Sequence, residues 1–151
     1  MAEAGEDPFD LARFVQAQES GDTYAHAVDE LRRGRKESHW MWFVFPQIAG
    51  LGRSATARLY ALASLEEARA YAAHALLGER LVECSTLVAQ KSDRSAQQIF
   101  GSIDALKLRS SMTLFFRAAP EQPVFRRVIE TFFDGLDPAT EEQLALRSQS
   151  P

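Results

Sequence analysis

Apolar residues along this chain recur three and four positions apart and almost nowhere alternate with polar ones, which is the spacing of helices rather than strands. Leu11, Phe14, Val15 and Gln18 share one face of a predicted helix that Asp7 caps, with Pro8 at its first position and Ser20-Gly21 as its stop. Tyr24, Ala27, Val28 and Leu31 form the inner face of a second helix that begins at Asp22 or Thr23 and ends at Gly34. Ser64-Leu65-Glu66-Glu67 reads as a capping box opening a helix from Glu66 to Ala73. A further helix runs from about Leu76 to Ala89 with Leu77, Leu81, Thr86 and Val88 inward. Gly78 falls near its start, where a glycine cost of ~1 kcal/mol does least harm. Ser95 and Ser102 are caps around Gly101, ahead of Ile103 to Phe116, where Leu106, Met112, Phe115 and Phe116 are the core positions. Pro120 and Pro123 break the chain before Val124 to Phe133, which carries a Phe125, Ile129, Phe132 and Phe133 stripe and stops at Gly135. Asp137-Pro138 opens the last helix as cap and first-turn proline.

The pattern predicts an all-α fold of seven to eight short helices around one core. Residues 7–147 form the expected domain, and 1–6 and 148–151 are expected to be flexible tails. At 151 residues the chain is one domain long, enough to bury roughly 68–70% of its unfolded surface. Residues 39–45 stay open, because a short apolar run fits a buried strand and a helix equally. Ser38 would cap a helix there and Pro46 would end it.

Composition narrows the function classes. The net charge of −4 argues against a surface that coats nucleic acid. Fourteen arginines stand against three lysines, and the arginine fork suits carboxylate or phosphate, although the alanine-rich composition is the simpler account of the skew. Cys84 is the only cysteine, so an internal disulfide or thiolate zinc cluster is impossible, and in Leu81-Val82-Glu83-Cys84-Ser85 it reads as a structural thiol. The acidic start lacks the charged and apolar segments of a signal peptide, and no window has the roughly 18 apolar residues of a membrane span. A cytoplasmic location is the expectation.

The chemistry concentrates in His39-Trp40-Met41-Trp42-Phe43-Val44-Phe45-Pro46-Gln47, which holds both tryptophans and one of three histidines. Gly34-Arg35-Lys36 precedes it and Gly50-Leu51-Gly52-Arg53-Ser54 follows. Most of these rings are expected to be core, with at least one tryptophan at the surface or along a cavity. His39 is the acid–base candidate, since an imidazole titrates near pH 6.5. Lys36, Trp40, Trp42, Gln47, Arg53, Ser54 and Lys107 are the candidate ligand-binding residues. Gly50-Leu51-Gly52-Arg53-Ser54 reads as a loop entering a helix at Ser54, where N–H groups can meet phosphate, though a plain tight turn is the simpler account. Lys107 sits one turn after Asp104, which is its structural partner unless Lys107 instead holds an anion together with Arg53 or Lys36. The histidine spacings match no metal motif, and no metal or cofactor is expected.

The stretch from Leu31 to Gln47, followed by Gly50 to Ser54, resembles the signature of the domain-of-unknown-function family 1810. Glu67-Ala68-Arg69-Ala70-Tyr71, Leu77-Gly78-Glu79-Arg80-Leu81, Phe100-Gly101-Ser102 and Asp104 to Phe115 are similar to further blocks of that family, so the resemblance spans about residues 9–146. It implies a compact, mainly helical fold and no established activity. One departure is His74-Ala75, where the family often has His-Pro; without the proline the break before the next helix is less constrained. The calpastatin label sometimes attached to this family does not suit the residues, since an inhibitor of that kind is disordered and this chain is too apolar.

Two functions follow as expectations. In the first, the protein binds a phosphorylated or nucleotide-like small molecule, with cations neutralising charge, a tryptophan stacking and His39 moving a proton; the same groups would suit hydrolysis of an N-glycosidic or ADP-ribose-type bond. In the second, it is a noncatalytic module whose exposed aromatic patch docks a protein partner. A deep polar cleft favours the first and a flat apolar face the second. Neither addresses oligomeric state.

Overall fold

The structure, a computed structural model, describes residues 7–148. Ser148 ends the last helix, and the remainder of the two expected tails lies outside the described residues. The fold is all-α. In chain order it consists of α1 (Ala12–Glu19), a 3-10 turn (Ser20–Asp22), α2 (Thr23–Arg33), α3 (Met41–Val44), α4 (Ala55–Leu59), α5 (Leu65–Ala73), α6 (Leu77–Ala89), α7 (Ala96–Ala118), α8 (Pro123–Phe132) and α9 (Pro138–Ser148). The two shortest, α3 and α4, are single turns, and the other seven have eight or more residues. Among the described residues the only β pairing is one isolated parallel bridge, Ile48 with Leu62.

Local chemistry places most of these ends. Ser54, Ser64 and Ser95 each accept the backbone N–H three residues on, and Gln98 closes a full capping box by accepting from the Ser95 N–H. Gly34, at φ 73°, ends α2. The box expected at Ser64 forms only half: Glu67 turns its carboxylate to the Ala63 N–H and to Arg13 instead. Asp7 does act as a cap, yet α1 begins later than Pro8, because Asp10 turns the chain at φ 52° and Asp7 accepts from Leu11 and Ala12.

The core is threaded by aromatic contacts across four helices. Phe14 of α1 meets Tyr71 of α5 edge-on at 5.1 Å, Tyr71 meets Phe115 of α7 at 5.4 Å, and Phe115 meets Phe125 of α8 at 5.8 Å. All four are buried, and each such pair adds about 0.5–1.5 kcal/mol beyond the area it covers. Helix α7 runs against α5, α8 and α9, while α6 packs on α2, α5 and α8.

Two expectations about packing are corrected. Leu106 is not core but 65% exposed; small Ala105 takes the inner face, in line with Leu108, Met112 and Phe115. Gly78 is more than a tolerated glycine. A Cβ there would lie 2.1 Å from the Ala72 carbonyl oxygen, so its hydrogen is what lets α6 start against the end of α5. Residues 41–44 settle as helix α3.

Helix α7 is the element that shapes the site. Gly101 interrupts it at φ 80° and ψ 165°, a conformation closed to side-chain-bearing residues, so two helices meet there at a kink. The second begins at Ser102, and its first turn faces the segment that links α2 to α3.

Candidate functional site

After Gly34 the chain doubles back, and a buried carboxylate fixes its course. Glu30, near the end of α2 and only 4% exposed, accepts hydrogen bonds from the N–H groups of Glu37 and Ser38, from the Ser38 hydroxyl and from Trp40 Nε1. Burial by itself would push its carboxyl up, but these donors outweigh it and hold the pKa down to about 2. The linker is therefore pinned, and the Lys36 N–H adds a 2.7 Å bond to the Ile99 carbonyl of α7.

The two lysines of the site are held differently. Lys36 has a nearly buried side chain, donating to the Ser38 carbonyl at 2.6 Å and pairing with Asp104 Oδ2 at 2.8 Å. It also lies 5.0 Å from the Trp40 ring centre. Lys107 is more open: it stands 3.5 Å from Asp104 Oδ1 and 4.5 Å above the Trp42 ring. Asp104 thus bridges two ammonium groups, leaving an excess of positive charge.

Between these elements lies an open cavity of about 450 Å³, within the range of small-molecule sites. Lys36, His39, Met41 and Trp42 form one wall, and Phe100, Gly101, Ser102, Ile103, Asp104 and Lys107 form the other. The wall from α7 is the turn that follows the Gly101 kink, Ser102 to Asp104, together with Lys107 one turn further on. Trp42 Nε1 is buried and has no hydrogen-bond partner among the described residues.

Of the eight residues singled out from sequence, Lys36, His39, Trp42 and Lys107 converge on this cavity, across seventy positions of chain. The other four lie elsewhere. Trp40 is 1% exposed, its indole N–H given to Glu30 and its ring edge-on to Phe100 at 6.4 Å. The Gln47 backbone carbonyl accepts from the Leu62 N–H beside the isolated bridge, and its side chain is off the cavity wall. Arg53 is exposed and off the cavity wall. Ser54 spends its hydroxyl on the Ala57 N–H as cap of the five-residue α4. Sequence reasoning missed Glu30, and Phe100 and Ile103 as lining residues, whereas the break it set at Gly101 is a kink within α7. Phe100-Gly101-Ser102 was visible as a motif, but its break is a matter of backbone angle.

Two other groups with reactive side chains, Cys84 and His74, are taken up by the scaffold. Cys84 is buried in α6, and desolvation pushes its thiol up to about 12. His74 Nδ1 accepts the N–H groups of Leu76 and Leu77, capping α6 where the proline is missing. Among the described residues no three His, Cys, Asp or Glu side chains converge, and no helix is long and apolar enough to cross a membrane.

Fold and site together define a small helical-bundle protein with a charged, aromatic-walled cavity at a kinked helix. The family model described as "Protein of unknown function (DUF1810)" matches residues 8–144, and the chain belongs to that family. Its structure is similar to that of the conserved hypothetical protein Rv1873 from Mycobacterium tuberculosis, with 53% identity and a TM-score of 0.89 over 92% of this chain and 99% of that one. No curated protein matches the chain.

Proposed function

We propose that the protein binds a small phosphorylated or nucleotide-like molecule in the cavity between the α2–α3 linker and α7. One observation carries this reading: Lys36, His39, Trp42 and Lys107, each chosen for its chemistry, line one concavity with the first turn of a helix. The anionic group would meet Lys107 and the N–H groups after Gly101, and the flat body would rest on Phe100, Ile103 and Trp42. Because Lys107 already covers one face of Trp42, the ligand takes the lysine's charge rather than that indole face. His39, exposed at the rim, is the group to which proton transfer would fall if turnover were found.

The aromatic docking patch has less support. Trp40 and Phe45 are buried, and Trp42 and Phe43 half-buried, so the run presents no flat exposed face.

Intrinsic fluorescence tests the reading. Adding adenosine monophosphate or ribose 5-phosphate should change the Trp42 signal saturably, and added salt should weaken the effect. Lys107→Ala should abolish the response while leaving the fold intact. A signal flat across nucleoside monophosphates and sugar phosphates would refute the proposal.

A further inference from the structure

We infer that the cavity selects ligands with a single anionic head and rejects polyphosphates, with Asp104 as the specificity-determining residue. This rests on the binding reading above and adds the charge class of the ligand.

The division of labour between the two lysines leads there. Lys36 is committed: its nearly buried ammonium is held by the Ser38 carbonyl at 2.6 Å and by Asp104 at 2.8 Å, so it orients the carboxylate rather than serving as a free cation. Lys107 is the cation in reserve. Its 3.5 Å separation from Asp104 is too long for a strong hydrogen bond, and its side chain keeps 24% of its surface, so its N–H donors remain available to a ligand. An incoming anion therefore finds one ammonium to bind, supported by the helix turn after Gly101.

The same geometry limits the charge that can follow. Asp104 is the third residue after Gly101, in the very turn whose N–H groups would hold the head, and its carboxylate lies along the cavity wall. A single phosphate or carboxylate meets Lys107 on one side of it. Because Asp104 cancels Lys36, the three side chains together carry only one net positive charge, and a second or third phosphate finds no further cation on the cavity wall. Each added charge is left uncompensated beside the Asp104 carboxylate, so affinity falls as the head grows. Asp104 can in turn accept a hydrogen bond from a hydroxyl or amino group of a singly charged ligand, which favours a body with a donor near its head.

The experiment is a calorimetric titration of the full chain with adenosine mono-, di- and triphosphate, without divalent cations. The body is constant across the series and only the head changes. Wild type should bind the monophosphate best and weaken about three- to tenfold with each added phosphate. Asp104→Asn keeps an acceptor for Lys36 and removes the charge, so the series should flatten or reverse, with circular dichroism confirming the fold. Triphosphate binding tighter than monophosphate in wild type would overturn the inference and leave the binding reading standing. So would an Asp104→Asn series with the wild-type ratios. Failure of all three nucleotides and of ribose 5-phosphate to bind would remove the underlying reading itself.

Discussion

Glu30→Gln is the substitution whose effect the structure specifies best. The carboxylate accepts from four donors in a site 4% exposed, and its pKa is held from the ordinary 4.5 down to about 2. At 1.36 kcal/mol per pKa unit, the ionised form is favoured in the folded state by about 3 kcal/mol. Glutamine offers one carbonyl oxygen and turns an NH₂ toward donors that have no use for it, so most of that stabilisation should vanish at neutral pH. For a chain of this size the loss corresponds to a melting temperature lower by about 6–12 °C. The pH dependence carries a sign. A carboxyl with a depressed folded pKa contributes its full stabilisation above the unfolded value of 4.5 and loses it as pH falls toward 2. The difference between wild type and Glu30→Gln in urea denaturation should therefore be constant from pH 7 to about 5 and shrink steadily below that. A variant within ~0.5 kcal/mol of wild type at pH 7 would refute the reasoning, because a surface-like change is all that would remain. A difference that persists unchanged at low pH would refute it too.

Three further expectations concern packing and reactivity. Gly78→Ala should destabilise by about 1–3 kcal/mol or more in urea denaturation, because its methyl meets the Ala72 carbonyl at 2.1 Å and α5 must move away from α6. Phe45→Ala, at a fully buried ring, should cost roughly 3–5 kcal/mol, whereas Lys107→Ala should cost about 1 kcal/mol or less, and thermal melts of the pair separate scaffold from site. Cys84 should resist a thiol-reactive disulfide reagent at pH 8 in the folded protein and react at once in denaturant, since its pKa near 12 and its burial keep the thiolate scarce and covered.

Signals confined to a few neighbouring residues were readable from the chain. The serine caps at 54, 64 and 95, the Asp137-Pro138 start and the Gly34 stop each depend on a side chain meeting backbone within one turn, and the structure places a helix end at each. What depends on a distant partner was not readable. Gly78 is needed because of where α5 ends, and Glu30 because of where the linker returns. Trp40 and Trp42 differ by two positions, yet one is sealed against Phe100 and the other lines the cavity. The choice between them was fixed by α7, some sixty residues away. Leu106 was misplaced for a related reason: helical spacing gives a stripe but not its facing, and Ala105 takes the inner position in line with Leu108 and Met112. Half of the candidate site was thus legible as chemistry, and its assembly only as geometry.

Amide chemical-shift mapping of the isotopically labelled chain, titrated with adenosine monophosphate, tests the central claim most directly. Saturable shifts should concentrate on the backbone N–H groups of Gly101 to Asp104 and on the Trp42 indole N–H, which is buried without a partner. They should fade in Lys107→Ala. Shifts that gather at the Gly50–Ser54 turn, that scatter over the surface, or that never saturate would contradict the placement of a binding site in this cavity.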